Sequence, residues 1–432
     1  MTFRYQSYTT DAAQGLLTCR YQLDNREFTE RVTLPPGPRW HTPQAQAAAR
    51  LVFLLAGVSY YKTAAPGTID LGATPLTVSE QEFLRDFYEH GLAEFAHRNR
   101  LTVNPKFSVS SAASTSPQRA DGTIDPVRRR ALVPFGGGID SIVTVEQMRQ
   151  EADVALFVVS RPGDRYDAIE RPAAVSGLPV IRAEREIDPQ LLDKTNNFLN
   201  GHVPVTGIIS AIAVLAAVLD DRAAVVMSNE WSASIPTLYA DGKPVNHQWS
   251  KSADFERQFR AVTGSTGTEY FSWLRDRTEL WVGREFASLT QYHSTFRSCN
   301  KSFYADPARR LDHWCGECDK CAFIDLILAP FLTPQQLTQI FAPATEPLRN
   351  PAMKPKFRAL LGAGAKPFEC VGEVNECRAA VLRAASRPDR EHDHLLLALA
   401  AETRSRLDAP AEAAADAMLQ PVGENFIPAG YR

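Results

Sequence analysis

Ala131-Leu132-Val133-Pro134-Phe135-Gly136-Gly137-Gly138-Ile139-Asp140-Ser141 is the stretch whose reading decides the fold. Its apolar start reads as a short buried strand, and the periodicity of residues 139–150 predicts a helix directly after the glycines. Three successive glycines tolerate positive φ and let backbone N–H groups approach a ligand without side-chain hindrance. With the helix N-terminus behind them they form a cradle for an anion. Ser141 adds a hydroxyl donor, and Asp140 can hold Mg²⁺ or cap the helix. The loop is not a Walker A loop, because no Gly-Lys-Ser/Thr follows, and it does not fit G-x-G-x-x-G. A tight turn with Asp140 as a local cap is the plainer alternative; the Asp-Ser pair in a strand-loop-helix setting favours the anion cradle.

Outward from this loop, short apolar runs alternate with helical stretches, as in parallel-sheet α/β units. Strands are expected at 131–135, 154–160, 179–182 and 223–228, with a buried helix at 204–219. Ligands of open parallel sheets sit beyond the carboxyl ends of the strands. The loops after Phe135, Ser160 and Ser228 should therefore face one crevice. The fold class expected is α/β, a doubly wound parallel sheet with an N-terminal α+β domain and a helical C-terminal region. Residues 1–103 form that first domain, with strands near 18–23 and 28–34 and amphipathic helices near 44–61 and 79–99. Residues 104–130, rich in Ser, Ala, Pro, Gly and Arg, read as a linker or long loop. The α/β domain spans 131–240, a helical region with a cysteine cluster spans 241–378, and a helix and extended tail occupy 379–432.

Composition narrows the function classes. The chain has 432 residues, 44% of them hydrophobic, and a formal net charge of -3. It lacks the overall basicity that draws a protein to nucleic acid or an anionic membrane, while a local pocket can still take a small anion. The start carries no charged head before an apolar run, and no stretch approaches the roughly 20 apolar residues of a membrane span. A cytoplasmic protein without nucleic-acid or membrane partners is expected; oligomeric state is not legible.

Seven cysteines are unevenly spread. Cys315, Cys318 and Cys321 lie at x2 spacing, with Cys299 upstream, and in a reducing compartment such clustering points to metal. Four thiolates close a tetrahedral Zn²⁺ site of structural type. Repeated x2 spacing also occurs in iron–sulfur proteins, and His313 or His293 is an alternative fourth ligand.

The glycine stretch resembles the PP-loop, Ser-Gly-Gly-x-Asp-Ser, with Gly136 in place of the leading Ser. PP-loop ATP pyrophosphatases hold the pyrophosphate end of ATP on this loop, cleave between the α and β phosphates and adenylate an oxygen of the substrate. The resemblance implies that Gly136, Gly137, Gly138, Asp140 and Ser141 bind phosphates and Mg²⁺, with Ser160 near the adenosine. Cysteine triplets of this kind occur in PP-loop enzymes where the metal is structural.

Further segments extend the likeness: 59–62 (Ser-Tyr-Tyr-Lys), 228–234, 245–252, 296–301, 314–321 and 368–373. In this order they resemble the UDP-N-acetylmuramoyl-L-alanyl-L-glutamate epimerase family from about residue 50 to 378. That resemblance implies conversion of a terminal L-glutamate to D-glutamate on a UDP-muramoyl dipeptide, with ATP split to AMP and pyrophosphate.

The acid/base candidates are His247, whose imidazole titrates near neutrality, then Lys251 and Cys370. Arg297 and Lys301 suit phosphate or carboxylate. Asn229 and Glu230 are placed to reach Mg²⁺ or ribose. Arg128, Arg129 and Arg130 could touch a UDP group, although charge runs beside linkers are usually solvated. A PP-loop ligase or thiolating enzyme acting on a nucleobase or tRNA is the alternative. A nucleotide-binding module without catalysis is a third reading.

Overall fold

The computed structural model describes residues 1–72, 74–108, 129–406 and 416–431. Its strands are β1 (Phe3–Asp11), β2 (Leu16–Leu23), β3 (Arg26–Thr33), β4 (Thr68–Asp70), β5 (Lys106–Ser108), β6 (Arg130–Pro134), β7 (Asp153–Ser160), β8 (Val180–Glu186), β9 (Ala224–Met227), β10 (Leu238–Ala240), β11 (Lys243–Val245) and β12 (Glu269–Ser272). Helices α1 (Pro43–Ala56), α2 (Val58–Tyr61), α3 (Val78–Glu89) and α4 (Ala93–Asn99) precede β5. After β6 come α5 (Ile139–Met148), α6 (Asp167–Ser176), α7 (Val205–Leu219), α8 (Ala253–Val262) and α9 (Glu279–Ala287). The rest is helical: α10 (Asp319–Leu328), α11 (Pro334–Phe341), α12 (Lys354–Leu360), α13 (Val374–Ala385) and α14 (His394–Arg404). Among the described residues no helix is long and apolar enough to cross a membrane.

All strands but β10 and β11 join one ten-stranded sheet, ordered β12-β9-β6-β7-β8-β3-β2-β1-β4-β5. From β8 to β12 neighbouring strands run parallel. Numbered along the chain, this half has the order 3-2-1-4-5, so the strand order reverses at β6 and the crevice beyond its carboxyl end is the ligand position of such sheets. Strand β7 is buried along nearly its whole length, as a central parallel strand must be with helices on both faces. Strand β2 alternates buried and less buried residues, the pattern of a half-covered antiparallel strand. One core packs α5, α9 and the C-terminal helices on one face; the other packs α1, α7 and α8 on the opposite face.

Several expectations need correction. The parallel half continues into an antiparallel β1-β2-β3 unit through β3 and β8, paired from Arg31↔Glu186 to Thr33↔Glu184. Residues 1–103 thus share a sheet with the α/β segment, and 109–128 of the expected linker lie outside the described residues. The expected helices at 44–61 and 79–99 are each two helices. Glycines lie at the joins: a Cβ on Gly57 would meet the Tyr5 hydroxyl at 2.5 Å, and one on Gly91 would meet Phe87 O at 2.2 Å. Strand β12, in a region read as helical and irregular, pairs with β9. The tail is extended but docked, with Val422 N–H donating to Asp276 O (2.8 Å) and Tyr431 fully buried.

A buried ion pair joins the two halves of the sheet. Arg185 on β8 donates to both oxygens of Glu30 on β3, at 2.8 and 3.2 Å, and Tyr60 donates to Glu30 Oε2 at 2.9 Å. Glu30 is fully buried, so removing the guanidinium strands its carboxylate. The expected cost of Arg185→Ala is about 3–5 kcal/mol, read as a lower urea midpoint. Glu30→Gln with Arg185→Met should lose much less.

Candidate active site

The glycine loop leaves β6 and enters α5, and its conformation is set by sterics. Gly137 has φ +75°, and a Cβ there would lie 2.1 Å from Ala168 O. Only glycine fits. Gly136 faces open space, and a methyl at Gly138 would find only Ser298 Cβ, at 3.9 Å. No side chain caps α5, while Ser141 Oγ donates to Gly138 O at 3.0 Å and stiffens the turn. Around it, Asp140 Oδ1, Ser160 Oγ, Ser228 Oγ, Arg297 Nε and Ser298 Oγ are buried without a hydrogen-bond partner. Buried polar atoms are ordinarily satisfied, so this concentration beside the carboxyl ends of β6, β7 and β9 marks a polar ligand site.

Three carboxylates converge next to the loop. Asp140, Glu230 and Glu279 each bring an oxygen within 4.8 Å of the others. Burial and the neighbouring Glu230 push Asp140 up to about 6. Burial, Asp140 and Glu230 push Glu279 well above the usual carboxylate range. Burial also lifts Glu376 to about 8, beside the Glu279 backbone N–H, which donates to it at 3.4 Å. Such crowding is relieved by a hard divalent cation, for which an all-oxygen set is suited. The orphaned Asp140 oxygen fits that requirement.

A second group stands across Lys251. Its Nζ donates to Cys370 Sγ at 3.5 Å and to Gln248 Oε1 at 3.4 Å. His247 stands near enough to Cys370 for each to shift the other's titration, and its Nδ1 meets Glu94 Oε2 in a short hydrogen bond. His202 packs against the imidazole with ring centroids 4.3 Å apart. Burial alone would raise the Cys370 thiol; Lys251, His247 and Lys320 override it and hold the thiol at about 6. Burial would lower His247, but Cys370 and Glu94 raise it to about 9. His202, desolvated and beside His247, is lowered to about 4 and stays neutral. At neutral pH the trio is a thiolate, an imidazolium and a carboxylate.

Arg275 aligns the two groups. Fully buried and paired with Glu256 at 2.8 Å, it donates to Glu230 O at 3.0 Å and Lys251 O at 2.6 Å. Lys320 is the other link, since its ammonium bonds Cys370 O and lowers both Asp140 and Cys370. This lysine opens α10 between Cys318 and Cys321.

The cysteine quartet is intact: Sγ atoms of Cys299, Cys315, Cys318 and Cys321 all lie within 4.8 Å of one another. Individual separations are 3.4 Å (318–321), 3.7 Å (315–321) and 4.0 Å (318–299). Sulfurs around tetrahedral zinc at ~2.3 Å stand about 3.8 Å apart, whereas a disulfide needs ~2.05 Å. The donor set fits Zn²⁺; an iron–sulfur cluster would spread the cysteines around its own inorganic atoms. His313 instead bonds Asp312 at 2.8 Å and His293 packs on Phe286, so neither joins the quartet.

The remaining expected residues are dispersed. Arg297 is buried and bonded to Asp167 at the start of α6, one residue from Ser298 beside the loop. Asn229 leaves β9 with its backbone N–H donating to Ser272 Oγ at 2.6 Å. Lys301 pairs with Glu317 at 2.9 Å near the cysteines, and among the described residues no contact joins it to the glycine loop. Arg128 lies outside the described residues, while Arg130 pairs with Asp153 and Asp220 at 3.4 and 3.5 Å, away from the site. Sequence reading missed Glu94, His202, Arg275, Glu279, Lys320 and Glu376. The signal for Lys320 was its place inside the cysteine triplet.

Metal analysis of the purified protein should find one zinc per chain. Cys318→Ser should lose the metal, lower Tm and, by releasing Lys320, raise the pH at which Cys370 reacts with a thiol reagent. An unchanged thiol titration would separate the quartet from Lys320.

Comparisons with known proteins follow the same outline. The MurL N-terminal domain matches residues 1–273, and the MurL C-terminal domain matches residues 295–414. A UDP-N-acetyl-alpha-D-muramoyl-L-alanyl-L-glutamate epimerase of Salinispora tropica is 38% identical, the alignment covering 99% of this chain and 94% of that protein. The protein of that name from Xanthomonas oryzae pv. oryzae is 36% identical over 99% of this chain and 95% of its own length. The one from a Micromonospora species is 37% identical, with 99% and 96% covered. With the two domain models matching residues 1–273 and 295–414 and these relatives aligned over 99% of its length, the chain belongs to the MurL family.

Proposed function

We propose that the chain is an ATP- and Mg²⁺-dependent epimerase that converts the terminal L-glutamate of UDP-N-acetylmuramoyl-L-alanyl-L-glutamate to D-glutamate in peptidoglycan precursor synthesis. One observation carries the reading. Three convergent carboxylates beside the glycine loop and a thiolate–imidazolium pair share the same two ammonium groups, since Lys251 and Lys320 act on both Asp140 and Cys370. The glycine loop and the 3-2-1-4-5 strand order support a PP-loop assignment.

ATP is a second substrate in this scheme. Backbone N–H groups of 136–138 and Ser141 bind its phosphates, Ser160 and Asn229 line the nucleoside side, and Arg297 with its unpartnered Nε faces negative charge. Asp140, Glu230 and Glu279 would hold Mg²⁺, which supplies charge neutralisation for the departing pyrophosphate. Lys301, turned toward Glu317, has no part. The glutamate α-carboxylate attacks the α-phosphorus, pyrophosphate leaves, and an acyl-adenylate results.

Formation of this mixed anhydride removes the negative charge beside Cα, and each pKa unit gained by the C–H lowers the thermodynamic cost of its removal by about 1.4 kcal/mol. The Cys370 thiolate takes the Cα proton, with Lys251 and the His247 imidazolium holding the sulfur ionised beforehand. A water returns a proton on the opposite face, and hydrolysis of the acyl-adenylate frees AMP and the D-glutamyl product. The zinc site would be structural, holding Lys320 in place.

In heavy water, turnover of the UDP-muramoyl dipeptide with ATP and Mg²⁺ should give D-glutamate carrying deuterium at Cα, seen by chiral chromatography and mass spectrometry. Cys370→Ala should slow this by about 10²–10⁴-fold, the usual weight of a positioned proton-transfer group, while the α-carboxylate is still adenylated. Undiminished deuterium entry in that variant would remove Cys370 from the role.

The pH profile is a separate check. The thiolate persists above about 6 and the imidazolium below about 9, so kcat/KM should be bell-shaped with limbs near those values, as a property of the pair. Glu94 raises His247, so Glu94→Gln should move the alkaline limb down.

A further inference from the structure

A cavity of about 1030 Å³ lies beside the acid–base group, walled by α4, residues 100–103, the β10–β11 hairpin and Phe368. It is far larger than a glutamyl group requires and matches the upper end of small-ligand sites, roughly 300–1,000 Å³. The elements that wall it also carry the chemistry. Glu94 sits on α4, His247 follows the lining residue Val245 by two positions, and Cys370 follows Phe368 by two. Phe368 stands between the two spaces, its ring 6.3 Å from that of His247. A molecule seated in this cavity therefore lies one ring, that of Phe368, away from the His247 imidazole.

The walls carry three basic residues, Arg98, Arg100 and Lys243, beside two acidic ones, Glu89 and Asp241. Arg100 is set in the left-handed conformation that ends α4 (φ +54°), and Lys243 opens β11 after the Asp241-Gly242 turn, both with positive φ, as a two-residue hairpin requires. Both side chains line the cavity, and among the described residues neither pairs with a carboxylate. Arg98, by contrast, is bound to Glu94 at 2.6 Å and lies over Phe368 at 5.0 Å. A second cavity, of about 460 Å³, lies under the C-terminal tail. There Arg277 is paired with Asp276 at 3.3 Å and stacked on Trp281 at 4.8 Å, so among the described residues no free cation of this kind lines it.

We propose that the larger cavity binds the nucleoside-diphosphate sugar part of the substrate, with Arg100 and Lys243 holding the diphosphate. This rests on the proposed substrate class and adds where, and by which residues, its distal part is recognised. Glutamate selection and nucleotide-sugar selection are then separate surfaces, meeting at Phe368.

The test is calorimetric titration with UDP-N-acetylmuramoyl-L-alanine, a probe that lacks the reacting glutamate, so binding is measured apart from turnover. Wild type should bind it. The double variant Arg100→Glu/Lys243→Glu, with unchanged circular dichroism and Tm, should bind at least tenfold more weakly. Arg277→Glu, in the other cavity, should bind as wild type does. Equal binding by wild type and the double variant, or loss of binding in Arg277→Glu alone, would overturn the assignment. So would absence of binding by wild type that still epimerises the full substrate. Should wild type bind the probe through Arg100 and Lys243 yet form no D-glutamate, the cavity assignment stands and the epimerase reading fails.

Discussion

The geometry of the site depends on one buried guanidinium. Arg275 is fully enclosed, paired with Glu256, and also donates to the main-chain oxygens of Glu230 and Lys251. Those two residues belong to opposite sides of the crevice, one to the carboxylate trio and the other to the thiolate. A buried charge held by three such hydrogen bonds has little freedom to shift, because a displacement leaves a polar group unsatisfied. The two halves of the chemistry are thus held at a fixed separation by a residue that has no place in either.

Electrostatic balance is the second constraint. Four carboxyl groups, Glu279 and Glu376 among them pushed toward the protonated form, and one thiolate share a poorly hydrated space with Lys251, Lys320 and His247 as cations. Lys320 comes from the first turn of a helix whose start is fixed by Cys318 and Cys321. The cysteine quartet lies outside the reacting space, yet it determines where one of the lysines stands. The cysteine quartet and the group around Cys370 are joined through Lys320, two residues after Cys318.

Local motifs made much of this legible. The glycine loop carries its steric logic in three consecutive residues, and the cysteines announce themselves by spacing. His247, Lys251 and Cys370 were reached through resemblance, and the structure brings them together. Glu94, Arg275, Glu279 and Glu376 were not reached, because a single charged residue in an amphipathic helix or turn looks like any solvated charge until its burial is known. Strand β8 was read short because Arg182, Glu184, Arg185 and Glu186 are charged. The chain tolerates them there because Arg182 pairs with Glu170 and Arg185 with Glu30. The continuous sheet was missed for a related reason: nothing in β3 or β8 alone names the other as partner.

That pairing bears on the order in which the chain matures during synthesis. Strand β3 and its partner β8 are separated by about 150 residues, so the emerging N-terminal hairpins present an unpaired edge until β8, the third strand of the parallel half, has left the ribosome. Such long-range closure is slow, and open edges recruit other chains. The Glu30 carboxylate, still hydrated in that nascent state, keeps the waiting edge polar and is buried only when Arg185 arrives to neutralise it.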